Sequence, residues 1–301
     1  MDETRAEYRS GHDYLEAVTT LLRRVRNAHP TKGLFEAADM SWWWRTSRTT
    51  DTLPQLFWFD GDGRPEAAVI AIDWGGDVAI APMLMPDAGP DGTAHVIERG
   101  LAHVAELGIE RVDLEVDQED TVMREILTGH GFATEEGESA SVSVMESWLV
   151  STSRPAVSHV HDGYRLATRL DTLNEPHHMI DRGGPDIEAR LQETPLYRSD
   201  LDFVVRDGGG EEAARGIFWI DPETATGLVE PMRTQEGHQQ KGLARHILTT
   251  GVNRLAELGA DRIKVVFEPT NAAASALYLG AGFEPVKKTV VFSGGTARVS
   301  A

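Results

Sequence analysis

The chain has 301 residues, enough for one large domain or two of ordinary size. Its 29 Lys+Arg stand against 48 Asp+Glu, a formal net charge of −19; this excludes a general nucleic-acid binder and docking on an anionic membrane, and favours a cationic substrate such as an amine. There is no cysteine, which excludes disulfides, thiolate nucleophiles and Cys-ligated metals.

At the N-terminus, MDETRAEYRSGHDYLEAV lacks the apolar run of a secretory signal. Stretches such as Ala67 to Ile72 fall far short of the roughly 20 residues a membrane helix needs. A cytoplasmic protein is expected. Further on, Trp42, Trp43 and Trp44 are consecutive. On a helix they point about 100° apart, so they cannot all join one core. At least one is expected at a domain interface or a pocket wall.

The chain then repeats itself. Ala105-Glu106-Leu107-Gly108 returns as Ala256-Glu257-Leu258-Gly259, an offset of 256 − 105 = 151. The same offset maps His95 onto His246, Arg111 onto Arg262 and Gly131-Phe132 onto Gly282-Phe283, and 10 of 38 positions in 95–132 match 246–283 without a gap. So long a period is no solenoid repeat; it indicates two copies of one domain. The polar stretch Ser151-Thr152-Ser153-Arg154-Pro155 reads as a linker. Copy one is placed at 1–150 and copy two at 156–301.

In copy two, 216–220 and 227–232 read as strands joined by a turn at Asp221-Pro222-Glu223. Leu243, Ile247, Leu248, Leu255 and Leu258 share one helix face, and Gly259 ends that helix. Residues 263–267 are β-branched and aromatic, hence a strand. Asn271 then stands as an N-cap before an Ala-rich helix, and a last strand surrounds 289–292. The order is strand, strand, helix, strand, helix, strand. The fold class expected is a mixed α/β arrangement, each copy a mostly antiparallel sheet flanked by helices.

The segment between the second strand and the long helix carries the chemistry. Gln239-Gln240-Lys241-Gly242-Leu243-Ala244-Arg245 opens that helix, whose first amides form an anion site. Gly242 and Ala244 leave room for a phosphate to approach. There is no Walker loop and no three-glycine dinucleotide fingerprint.

Gln239-x-x-Gly242-x-Ala244 resembles the Q/R-x-x-G-x-G/A signature of the GCN5-related N-acetyltransferase (GNAT) superfamily. Asn271-x6-Tyr278 and Tyr278-x3-Ala281-Gly282-Phe283 resemble the family's ending, so the likeness covers about 230–290. It implies acetyl-CoA as co-substrate, bound in a gap between the fourth and fifth strands, with no metal. Met232, Arg233 and Thr234 would line the pantetheine through backbone groups. The pyrophosphate would sit on amides from Gln239, Gln240, Lys241, Gly242, Leu243, Ala244 and Arg245. Asn271 would hydrogen-bond the pantetheine, and Tyr278 would protonate the departing thiolate. For the base that deprotonates the amine, Glu230 comes first, then Glu268 and His238, with a water chain as the remaining route.

The expected reaction is direct acetyl transfer to a primary amine of a small molecule or peptide, without nucleic-acid or membrane partners. A non-catalytic acyl-CoA sensor, or another acyl donor or acceptor, is the alternative. A homodimer stays open, and the motifs single out no particular family member. In copy one the offset puts Asp91 on Gly242, Asp120 on Asn271 and Leu127 on Tyr278. With two residues of slippage, Ala81 falls on Glu230. Copy one is therefore expected to keep the scaffold without the chemistry.

Overall fold

The computed structural model describes residues 6–134 and 142–296. In chain order the first half gives β1 (Ala6–Arg9), α1 (Gly11–Ala28), α2 (Ala37–Trp43), β2 (Gln55–Phe59), β3 (Pro65–Asp73), β4 (Val78–Leu84), α3 (Pro90–Glu106), β5 (Arg111–Asp117), α4 (Thr121–Gly129), β6 (Ala133–Thr134) and β7 (Met145–Val150). The second half gives β8 (Arg165–Thr168), α5 (Ile180–Gly183), α6 (Ile187–Gln192), β9 (Asp202–Arg206), β10 (Glu212–Asp221), β11 (Thr226–Thr234), α7 (Leu243–Glu257), β12 (Arg262–Phe267), α8 (Ala272–Leu279) and β13 (Glu284–Gly295).

The chain forms two compact units that do not part at the 151–155 linker. Unit 1 holds residues 1–40, 47–144 and 287–301; unit 2 holds 41–46 and 145–286. Each half surrenders its last strand. In unit 2, β7 lies antiparallel to β12, from Arg262↔Val150 to Phe267↔Met145. In unit 1, β13 lies antiparallel to β5, from Thr289↔Asp117 to Gly295↔Arg111. The boundaries 1–150 and 156–301 are corrected accordingly. The strand expected around 289–292 exists, but it serves the unit built by the first half. A strand's side-chain period identifies it as a strand and says nothing of its partner.

Within unit 1 the strands run β1-β2-β3-β4-β5-β13, and within unit 2 β8-β9-β10-β11-β12-β7. In each, one pair is parallel, β4 with β5 and β11 with β12. The other pairs are antiparallel. The two orders match strand for strand, as the internal repeat requires.

The core of unit 2 follows from periodicity. Leu243, Ile247, Leu248, Val252 and Leu255 bury one face of α7 against Phe203, Phe218, Val229, Ile263, Val265 and Phe267 of the sheet. Gly251 permits the close approach, since a Cβ there would lie 2.2 Å from the Phe218 ring. On β12, alternate residues Ile263, Val265 and Phe267 face α7, which turns Lys264 and Val266 to the opposite face. Among the described residues, no helix is long and apolar enough to cross a membrane.

Candidate active site

The site starts where a ladder stops. β11 and β12 pair at Thr226↔Arg262, Gly227↔Ile263 and Leu228↔Lys264. β11 then runs on to Thr234 and β12 to Phe267, and no further pair joins them among the described residues. The expected gap between the fourth and fifth strands is therefore present. Met232, Arg233 and Thr234 lie on its β11 side, with Met232 and Thr234 half-buried and Arg233 exposed.

Glu230 lies two residues past the last pair and is half-buried. Against β10, β11 pairs Trp219↔Leu228 and Phe218↔Val229, then resumes at Gly216↔Met232. Glu230 and Pro231 together face Ile217, which is a bulge. Bulges re-aim side chains and are common beside active sites.

The turn after β11 contains Glu236–His238 as a single 3₁₀ turn. Gln240 has φ +60° and Gly242 φ +73°, both left-handed. Gly242 is the N-cap of α7, and no side chain among the described residues caps it. A Cβ on Gly242 would meet nothing within 4 Å. The backbone is thus uncovered beside Gly242, and the first amides of α7 have no side-chain cap to compete with an anion. Gln239, Gln240 and Arg245 are exposed around it, and Ala244 is half-buried. Leu243 contributes only backbone here, since its side chain is in the core.

Two residues at this turn are tied to one that the sequence did not single out. Lys241 Nζ donates to the Tyr164 hydroxyl at 2.7 Å, and that hydroxyl lies 2.9 Å from His238 Nδ1. Because the lysine can only donate, the hydroxyl's own proton is available to His238. His238 is thereby engaged with the turn.

On the far side of the gap, α8 carries Tyr278, buried between Phe267 and Phe283 with ring centroids 5.3 and 5.9 Å away. Burial, and then the negative charge of Glu230, push its phenol well above the ordinary tyrosine range. It keeps its proton at neutral pH. Asn271 caps α8 by accepting from Ala274 N at 3.0 Å, and it is exposed. Glu268 is exposed beyond the end of β12, its carbonyl accepting from Asn271 N.

Trp42 and Trp44 are buried within unit 2. Trp42 lies 6.4 Å from Trp219 with the Arg45 guanidinium over it at 3.7 Å. Trp44 donates its indole N–H to Glu193 at 2.7 Å and carries Arg190 at 3.9 Å. Trp43 is half-buried.

In unit 1 the matching positions are occupied differently. Ala79 pairs with Asp113 as Leu228 pairs with Lys264, so Ala81 takes the place of Glu230. Leu127, fully buried, takes the place of Tyr278. The turn before α3 spans 85–89, five residues, where the turn before α7 spans 235–242, eight. Gly89, not Asp91, is therefore the counterpart of Gly242, a correction to the gapless alignment. Pro90 then removes an amide and Asp91 adds a negative charge in the first turn.

Residues 168–283 match the family model for the acetyltransferase (GNAT) family. Residues 168–283 thus form a GNAT-type domain. The chain is similar to mycothiol acetyltransferase of Beutenbergia cavernae, 31% identical over 141 residues. That match takes in 46% of this chain and 41% of the relative. The mycothiol acetyltransferase of Clavibacter michiganensis subsp. michiganensis is 27% identical over 46% of this chain and 39% of its own. Both matches thus span less than half of either protein. A tandem GNAT protein from the clavulanic acid biosynthesis pathway shares the fold at TM-score 0.66, with 13% identity over 97% of this chain and 98% of its own. A GCN5-related N-acetyltransferase from Sphaerobacter thermophilus does so at 0.62, with 12% identity over 98% and 97%.

Proposed function

We propose that unit 2 of this chain is an acetyl-CoA-dependent N-acetyltransferase and that unit 1 is a non-catalytic copy. The observation that carries this reading is a buried, proton-retaining phenol, Tyr278, within electrostatic reach of the Glu230 carboxylate, with Glu230 two residues past the last β11–β12 pair. Acetyl-CoA supplies a thioester whose acyl carbon accepts a nucleophile and whose sulfur leaves. The residues present fit it: the open, left-handed Gly242 cradle suits the pyrophosphate, and the gap lined by Met232, Arg233 and Thr234 suits the pantetheine.

Glu230 would take a proton from the ammonium group, freeing the nitrogen's lone pair to bond the acyl carbon. Tyr278 would give its proton to the sulfur as the carbon–sulfur bond breaks. The second proton on nitrogen would restore the phenol as the amide forms, and Glu230 would release its proton to solvent, so one proton leaves per turnover. The net charge of −19 would draw a cationic amine toward the protein. The relatives' name offers a mycothiol-type acceptor as the narrower version of the same reading.

An acetylation assay tests this. Acetyl-CoA is offered with lysine, spermidine, glucosamine and cysteine, and product is read by mass spectrometry. Acetylation of at least one amine is expected. Binding of acetyl-CoA without turnover, over a wider amine panel as well, would instead describe a sensor.

A further inference from the structure

Behind the bulge lies a buried polar group that the reading above does not use. Asp202 opens β9 and is fully buried. Tyr197 donates its hydroxyl to Asp202 Oδ2 at 2.8 Å. The Nε2 atoms of His177 and His178 lie 3.1 and 2.8 Å from the two carboxylate oxygens. Burial alone would raise the Asp202 carboxyl. The two imidazoles more than offset that and hold it at about 2. Arg215 fastens the same segment, donating to the His178 carbonyl and pairing with Asp181 at 2.8 and 2.9 Å.

This group has the residue types of a cation site, with ligand-type atoms within 4.8 Å of one another. The tautomer argues otherwise. Met179 N donates to His177 Nδ1 at 3.0 Å, so the ring proton resides on Nε2, which then lacks the lone pair a metal needs.

Its reach is toward Glu230 instead. The Tyr197 ring lies 6.1 Å from the ring of Trp219, with Trp42 at 6.4 Å from the same indole. Trp219 is fully buried, and its indole N–H donates to the Glu230 carbonyl at 2.7 Å. That carbonyl sits in the bulge, where the following residue is a proline with no N–H to offer the ladder. One side-chain donor therefore takes the place of a ladder bond at the residue assigned as base.

We propose that Trp219 is a positioning residue for Glu230, pinning the Glu230–Pro231 bulge through its indole N–H and itself held by the Tyr197–Asp202–His177 group. This rests on the assignment of Glu230 as base. Misplacing a reacting group by an ångström costs large factors in rate while leaving remote binding intact. Phe at 219 keeps most of the aromatic packing and removes the donor. Phe at 197 keeps the ring against Trp219 and removes the bond to Asp202.

The test is release of CoA thiol from acetyl-CoA. It is free of protein background because the chain has no cysteine. The acceptor is the fastest of the non-thiol amines lysine, spermidine and glucosamine, or water at high protein concentration if none reacts. Trp219→Phe is expected to lower kcat about 10-fold at pH 7 with KM for acetyl-CoA unchanged within about 2-fold. The loss should shrink toward pH 9, as is expected for Glu230→Gln. Tyr197→Phe should show the same split at about a 3-fold loss, and it decides the matter if Trp219→Phe does not fold. A Glu230→Gln deficit that shrinks with pH, beside Trp219 and Tyr197 variants that match wild type, overturns this inference and leaves the base assignment standing. Equal losses in kcat and acetyl-CoA affinity reduce Trp219 to a packing role and also overturn it. An unimpaired Glu230→Gln variant, or no thiol release under either condition, overturns both.

Discussion

The carboxylate of Glu230 acts electrostatically on the Tyr278 phenol, adding to burial in keeping that hydroxyl protonated. An acid group whose folded pKa is raised stays neutral after its unfolded counterpart ionises near pH 10. Tyr278 should therefore be silent in an ultraviolet titration of the native protein between pH 9 and 11, and Tyr278→Phe should leave that titration unchanged. A smaller absorbance rise in the variant would show that Tyr278 ionises in the ordinary range. By the same sign, Tyr278 destabilises the folded chain increasingly as pH rises above about 10.

The same substitution separates packing from proton donation. Tyr278→Phe keeps the ring between Phe267 and Phe283. Acetyl-CoA affinity should hold within a few-fold by calorimetry while turnover falls roughly 10²-fold, the scale of a lost general acid. Unchanged turnover would mean that the thiolate leaves unaided or takes its proton from water.

For Glu230 the discriminating variable is pH. Glu230→Gln is nearly isosteric and should lower turnover at pH 7. The deficit should shrink as pH approaches the acceptor's own pKa, about 10 for a lysine-like amine, because the amine then arrives neutral. A deficit equal at pH 7 and pH 9 would assign Glu230 to holding the substrate's charge.

Much of this site was legible before the structure because its signals are local. Gly242 is fixed by the sign of its φ, and Asn271 by its cap on Ala274. The apolar spacing of α7 places its buried face. Trp219, Tyr197, Asp202 and Tyr164 were not legible, since their roles come from partners that only folding brings together, from five residues away for Tyr197 and Asp202 to 77 for Tyr164 and Lys241. Trp219 and Glu230 are joined only through a bulge, and a bulge leaves no mark in side-chain periodicity. The exchange of β7 and β13 was hidden for a related reason: each strand follows its own half in sequence and pairs with a strand of the other. The five-residue turn before α3 misled the gapless alignment by two residues, although Ala81 and Leu127 stand where the repeat placed them.

Asp202 makes a prediction about stability. Its folded pKa, about 2 against an ordinary 3.8, is depressed. The stability it contributes is present above about pH 4 and is lost as pH falls toward 2. Asp202→Asn should thus have a lower urea midpoint than wild type at pH 7, with the gap narrowing below pH 4. A gap that stays constant to pH 2.5 would contradict the charged, hydrogen-bonded carboxylate described here.

The number of acetyl-CoA molecules that the full chain binds tests the single cradle in unit 2 most directly. Calorimetry of the wild-type protein should give one site per chain. Gly242→Asp should abolish it, because a side chain is strained at φ +73° and its charge repels the pyrophosphate. Two sites of similar affinity, or a site that survives Gly242→Asp, would contradict a single cofactor cradle at the start of α7.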